Sequence, residues 1–93
     1  MPDVFRALSD PTRREILRLL KGGDLAAGVI ADNFAMSRPS VSHHLSALKS
    51  AGLISAERRG QEIVYSLDTT VFQDALTYVM ELFGPAEEER DDE

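Results

Sequence analysis

Apolar positions in the first third of the chain recur every three or four residues, which is the spacing of one helix face. They predict a short helix over "PDVFRALS" and a second over "DPTRREILRLL", where Asp10 suits the N-cap and Pro11 the first turn. A third, shorter helix is predicted over "AAGVIADNFA", and the apolar residues expected on its inner side are Val29, Ile30 and Phe34. Its start is weak, because neither Leu25 nor Ala26 caps a helix well.

A fourth helix is predicted over "SRPSVSHHLSALKS", with Ser37 as its N-cap and Gly52 ending it in a left-handed turn. Val41, Leu45 and Leu48 fall at i, i+4 and i+7 and form its buried stripe. The opposite side carries small side chains and one imidazole, without any acid; these residues are Pro39, Ser40, Ser42, His43, Ser46 and Ala47. Such a face is suited to a very close approach to another surface.

The pattern changes to alternation in "LISAERRGQEIVYSL", which predicts a β-hairpin. Ile63, Tyr65 and Leu67 are expected to face inward. The hairpin tip is predicted at residues 58–61, with Gly60 in the tight position of the turn.

A last helix is predicted over "TTVFQDALTYVMELFG", where Thr70 and Gln73 fit a capping box. Its apolar stripe is broad for a terminal helix, which favours a dimer interface over a stripe that only covers its own core. The predicted fold is therefore mainly α with a β-hairpin wing, in the order α-α-α-α-β-β-α. This is the winged helix-turn-helix arrangement.

Length and composition limit the classes of function. At 93 residues the chain fits one domain, predicted here over residues 1–86, and a second copy would bury more surface. The absence of cysteine excludes disulfides and thiol-based metal or redox sensing. No apolar run approaches the roughly 20 residues of a membrane span, so we expect a cytoplasmic protein with no membrane insertion. No nucleophile–base pair, phosphate loop or ligand cluster indicates an enzyme, a metal site or a cofactor.

The net charge of −6 is unevenly distributed. Residues 87–93, "EEERDDE", hold six of the 16 acidic residues and one of the ten basic ones, and we expect them to form a disordered tail. Without them the balance is nine basic to ten acidic residues. Between Arg38 and Glu62 the basic residues outnumber the acidic ones, so the net charge does not exclude DNA as a partner.

A helix with a small, acid-free face followed by an Arg-tipped hairpin fits double-stranded DNA. The major groove admits one helix, phosphates repel acids, and Ser and His bond to base edges. The arginines of the hairpin tip are placed for phosphate or the minor groove, although charges there also discourage pairing of the strand edge. The predicted DNA contacts are Ser37, Arg38, Ser40, Ser42, His43, Ser46, Arg58, Arg59 and Gln61. His44 lies beside the buried stripe and is interpreted mainly as structural.

Two classes of function remain open. The first is a DNA-binding repressor, for which the candidate residues of a dimer interface are Phe5, Leu8, Phe72, Leu76, Val79 and Phe83. The alternative is a winged-helix protein–protein interaction module that has lost DNA binding. The basic residues and the acid-free helix face favour the first.

Three segments, "LSDPTRREILRLL", "SRPSVSHHLSALKSAGLI" and "RRGQEIVYSL", resemble the ArsR family of bacterial transcriptional repressors in order and spacing. Within that family the chain is most similar to a short, cysteine-free branch of autorepressors. The resemblance implies a homodimer, an imperfect palindromic operator, and a recognition helix over Pro39–Ser50 that lies in the major groove. It also implies repression of the protein's own operon. A narrower variant of this hypothesis is a repressor relieved by a small-molecule inducer or an anti-repressor protein, which the sequence does not identify.

The chain departs from the metal sensors that share this family. Those proteins carry a Cys-x-Cys box before the turn, where this chain has "DLAAGVIAD", or a set of histidines on the last helix. Here the last helix offers only Asp74 and Glu81, seven residues apart, which make a poor transition-metal site. We therefore expect neither a thiol-based metal sensor nor a metal-dependent one.

Overall fold

The computed structural model describes residues 3–84, which form five helices and three strands. The elements are α1 (Val4–Leu8), α2 (Pro11–Leu20), β1 (Leu25–Ala26), α3 (Ala27–Ala31), α4 (Arg38–Ser50), β2 (Ile54–Arg59), β3 (Glu62–Leu67) and α5 (Thr69–Phe83). The predicted winged helix-turn-helix fold is confirmed, with α3 and α4 as the helical pair and the β2–β3 hairpin as the wing. The predicted domain end at residue 86 and the tail over 87–93 lie outside the described residues.

A third strand that the sequence pattern did not predict joins the wing to the helices. β1 pairs antiparallel with β3, so the strand order is β1-β3-β2, with Leu25 opposite Tyr65. Two residues are too few to show a strand period, and only β3 supplies the partner that makes β1 a strand. The weak start of α3 is confirmed, because Ala26 precedes it without a side-chain hydrogen bond.

Side-chain caps set where the longer helices begin. Asp10 Oδ2 accepts from Arg13 N at 3.0 Å and Ser37 Oγ from Ser40 N at 3.3 Å, so both predicted N-caps are confirmed. The prediction of a capping box at the start of α5 is wrong. Asp68 is the N-cap, and its Oδ1 accepts from Thr70 N at 3.0 Å.

The core lies between the helices and the inner side of the wing. Val41, Leu45 and Leu48 are buried as predicted, and Ile16 and Ile30 are fully enclosed. Two predictions of inward residues are wrong. Val29 is 49% exposed, because in the five-residue helix α3 it is Ile30 that is fully buried, with Ala31 packed against the core beside it. In β3 the most buried residue is Val64, whereas Ile63 is only half-buried and lies outside the core cluster that Tyr65 and Leu67 contact.

A glycine turn sets the angle between α4 and the wing. Gly52 has φ +81°, and the N–H groups of Gly52 and Leu53 donate to the carbonyls of Lys49 and Leu48, both at 3.0 Å. This pair of hydrogen bonds is the Schellman motif. A Cβ at Gly52 would lie 2.8 Å from Val71 Cγ2, so α5 packs directly on the turn. The recognition helix, the wing and α5 are thus fixed to one another at this point.

Candidate nucleic-acid interface

The α4 outer face is formed by Ser40, Ser42, His43 and Ser46, all of them exposed. The helix is held from its other side by Val41, Leu45 and Leu48, which are at most 3% exposed. No residue of the helix is acidic, and Arg38 and Lys49 are its only permanently charged residues. The face therefore offers hydroxyls and an imidazole, without a carboxylate to repel phosphate.

The N-terminus of α4 is organised by a pair of serines. Besides capping the helix, Ser37 Oγ donates to Ser40 Oγ at 3.0 Å. This arrangement uses the single proton of the Ser37 hydroxyl within the protein and leaves the Ser40 proton available for an external acceptor. Ser37 therefore acts as a helix cap that orients Ser40, while Ser40 is the donor that faces outward.

The basic side chains predicted to contact DNA each have a partner within the protein. Arg38 Nη2 lies 3.2 Å from Asp32 Oδ1. Arg59 Nη2 lies 3.1 Å from Glu57 Oε1 and 3.8 Å from an oxygen of Asp24. Exposed pairs of this kind contribute about 0–1 kcal/mol, so they open readily when a phosphate competes.

The positive charge of the wing tip is partly compensated, because Asp24 lies near Arg59. Arg58 Nη1 donates weakly to the Gly60 carbonyl at 3.5 Å, and Gln61 is exposed beside it. Asp24, in the turn before β1, was not singled out from the sequence, because its approach to Arg59 depends on the β1–β3 pairing. All nine predicted DNA-contacting residues are exposed, seven of them on α4 or the wing strands.

A polar cluster ties α4 to the start of α2. Arg13 Nε donates to His44 Nδ1 at 3.2 Å, and Asp10 Oδ2 lies 3.7 Å from the same nitrogen. Only 17% of the His44 side chain is exposed. The hydrogen bond from the Arg13 backbone lowers the pKa of Asp10 and burial opposes it. The charge of Arg13, and that of His44 when its ring is protonated, lower it further. The structure places His44 in a structural position, as the sequence interpretation holds.

The six residues predicted at a dimer interface lie on α1 and α5. Phe5, Phe72, Leu76 and Phe83 are exposed by 42–83%, whereas Leu8 and Val79 are half-buried. Three further exposed apolar residues of α5 were not predicted for this face; they are Tyr78, Met80 and Leu82. The Phe5 and Tyr78 rings contact each other at 6.3 Å between centroids, which joins the two helices.

Beside this apolar surface a cavity of about 290 Å³ opens between α1, α2 and α5. Its wall is apolar, and the residues that supply it are Leu8, Leu17, Leu53, Leu67 and Phe72.

Within residues 3–84 there is no group of three potential His, Asp or Glu metal ligands. None of the helices in that range has the length and apolar character needed to cross a membrane.

Comparisons with known proteins agree with this geometry. The sequence model of a protein family, described as bacterial regulatory protein, arsR family, matches residues 10–56. The transcriptional repressor SdpR of Bacillus subtilis is 59% identical over 80 residues, which are 86% of this chain and 89% of SdpR. A crystal structure of an ArsR family transcriptional regulator superposes with a TM-score of 0.82 at 29% identity, covering 94% of this chain and 89% of that one. An ArsR-like regulator from Rhodococcus sp. RHA1 gives a TM-score of 0.82 at 32% identity, with coverage of 91% and 78%. The chain therefore belongs to the ArsR family, and it is a DNA-binding transcriptional repressor of the winged helix-turn-helix type.

Proposed function

We propose that the protein is a homodimeric repressor of its own operon that binds an inverted-repeat operator. The observation that carries this proposal is the α4 outer face: an exposed, acid-free surface of short polar side chains on a helix fixed from behind by the core. The proposal places the protein in the cytoplasm with the chromosome, and it assigns no catalytic role and no cofactor.

The contacts divide into two classes. Ser40, Ser42, His43 and Ser46 are placed for base edges, where hydroxyl and imidazole groups discriminate between bases. The N-terminal turn at Ser37 and Arg38, together with the wing residues at 58–61, is placed for phosphates or the adjacent minor groove. Backbone contacts set the position of the helix, and the α4 outer face supplies the sequence preference.

Two-fold symmetry follows from the apolar surface of α1 and α5. Seven of the eight large apolar side chains exposed in the described part of the chain lie on these two helices. An isologous interface built on this surface relates two copies of α4 by a dyad. The two half-sites are then about one helical turn apart, roughly 34–36 Å.

The signal that releases the repressor is assigned to an inducer or partner protein that does not act through a thiol. With no cysteine and no histidine on α5, the chain has no ligands for sensing soft metals in the manner of thiolate sensors. We expect stoichiometric Zn²⁺, Cd²⁺ or arsenite to leave DNA binding unchanged.

Fluorescence anisotropy with DNA from upstream of the protein's own gene tests the proposal. Binding is measured at two salt concentrations against a scrambled duplex of equal length. We expect a clear preference for the upstream DNA, reduced by His43→Ala and retained by Arg59→Ala, which weakens both duplexes alike. Lys21→Ala, which removes one positive charge from the far end of α2, is the matched control and leaves both affinities unchanged.

Two outcomes would redirect the assignment. Equal affinity for the upstream and scrambled duplexes at both salt concentrations refutes autoregulation. Loss of all DNA binding by the folded protein favours the alternative of a winged-helix module that binds proteins instead.

A further inference from the structure

The recognition helix is held by apolar packing and, on the side of α2, by one hydrogen bond between side chains, which is the more directional contact. The apolar stripe of Val41, Leu45 and Leu48 anchors α4 in the core. Dispersion contacts of this kind are short-ranged but not directional, whereas a hydrogen bond depends steeply on angle. The bond from Arg13 Nε to His44 Nδ1 is the hydrogen bond that joins the side chains of α2 and α4 within residues 3–84.

The donor of this bond is itself fixed. Arg13 stands in the first turn of α2, and its backbone N–H donates to Asp10 Oδ2 at 3.0 Å. The same carboxylate oxygen lies 3.7 Å from His44 Nδ1, which is beyond hydrogen-bond reach. Asp10 therefore caps the helix that carries Arg13 and also faces the imidazole that Arg13 contacts.

The hydrogen bond from Arg13 selects one tautomer of the neutral imidazole. Because Nδ1 accepts the hydrogen bond from Arg13, the neutral ring carries its proton on Nε2. The ring of His43 packs against this fixed ring, edge to face, with centroids 5.9 Å apart and planes inclined by 62°. The exposed imidazole is thus oriented by the half-buried one beside it.

We propose that His44 is a positioning residue for operator readout, because the Asp10–Arg13–His44 cluster fixes both the rotation of α4 and the ring against which His43 is oriented. This inference rests on the proposed function. It assigns to His44 no contact with DNA. Its effect is on discrimination between sequences and not on overall affinity, which comes from phosphate contacts.

The test separates orientation from simple packing. His44→Leu keeps an apolar side chain at the site but removes the acceptor, whereas His44→Asn places an amide oxygen near the position of Nδ1. Sites are selected from random duplexes with the full-length wild-type protein, and each variant is then measured on the selected site and on a scrambled one. We expect His44→Leu to reduce the ratio of the two affinities by about fivefold to tenfold, a part of the loss from removing a base contact outright.

The companion variants define the mechanism. We expect His44→Asn to retain most of the ratio and Arg13→Lys, which keeps the charge but loses Nε, to reduce it as His44→Leu does. Arg14→Lys is the matched control, since Arg14 donates to the Leu8 carbonyl and makes no hydrogen bond to α4 within residues 3–84, and it should leave the ratio unchanged. Circular dichroism of each variant establishes that it is folded.

An NMR measurement tests the cluster without DNA. Long-range ¹H–¹⁵N spectra of the imidazoles in the free protein should show the Nε2–H tautomer for His44, and Arg13→Lys should abolish this preference. A mixture of tautomers in the wild type would overturn the inference, and so would equal losses of discrimination in His44→Leu and His44→Asn. If the wild-type protein selects no sequence at all, the proposed function fails instead, and the tautomer of His44 still decides whether the cluster exists as described.

Discussion

Replacing Leu76 by glutamate should split the proposed dimer while leaving the subunit folded. Leu76 is 49% exposed in the single chain, so a substitution there changes the proposed interface more than the core. On a helical projection, the apolar arc of α5 from Tyr78 to Met80 spans roughly 200°, wider than the arc of about 100° that covers a core. Within this helix only Ala75 is buried by its own chain.

The size of the effect follows from burial and charge. Burying the exposed half of a leucine contributes about 1 kcal/mol per subunit, half of the value for a whole side chain. A carboxylate placed in the same apolar surface costs roughly 1–3 kcal/mol more, even after partial hydration. Both effects occur twice across the dyad, so the dimer loses about 4–8 kcal/mol, equivalent to roughly three to six powers of ten in Kd.

Sedimentation velocity over the micromolar range of protein concentration measures the change in dimerisation directly. We expect the wild type to sediment as a dimer and Leu76→Glu as a folded monomer with unchanged circular dichroism. Thr77→Glu adds the same charge on the polar side of α5 and should remain dimeric. A Leu76→Glu protein with the wild-type dimer Kd would refute the assignment of this surface, as would a wild-type protein that is monomeric throughout.

Three further predictions concern the elements that position the site. Gly52→Ala should lower the free energy of unfolding by roughly 1–3 kcal/mol in urea titrations, because its φ is +81° and the new Cβ would lie 2.8 Å from Val71. Ser37→Ala should cost about 1 kcal/mol by the same assay, with Ser55→Ala, at an exposed strand position, as its control. The lowered pKa of Asp10 means that its carboxylate stabilises the fold above the ordinary pKa of 3.8; this contribution is lost as pH falls through the lowered value, so the difference in stability between wild type and Asp10→Asn should shrink from pH 6 to pH 2.

The sequence predicted the elements whose signals are local. The α4 helix carries its own cap in Ser37, its own stripe and its own stop in Gly52, and each of these has the predicted role. The wing turn at Gly60 likewise has φ +65°. Local chemistry was sufficient for these features because each depends on residues within a few positions of one another.

The features that the sequence did not predict depend on distant partners. β1 exists only because Leu25 and Ala26 reach β3, about forty residues away in the chain. The bond between Arg13 and His44 spans 31 residues, and the approach of Asp24 to Arg59 spans more. The spacing of apolar residues along the chain carries no information about such long-range contacts. The inner side of β3 was assigned correctly at Tyr65 and Leu67, which pack against the core. Ile63 lies on the same side but nearer the wing tip, outside the core cluster.

The ion pairs at the DNA-facing surface reconcile an acidic chain with a DNA-binding function. Arg38 and Arg59 are each held by a carboxylate, from Asp32 and from Glu57, so the free protein presents little uncompensated positive charge there. We propose that on binding a phosphate replaces the carboxylate as partner, and that the displaced acid remains nearby in water. Each such exchange contributes less binding free energy than an arginine without a carboxylate partner would contribute. We therefore expect weak non-specific affinity, with a dependence on salt shallower than the roughly 0.9 per phosphate of free cations, and a larger share of operator recognition by the short polar side chains of α4.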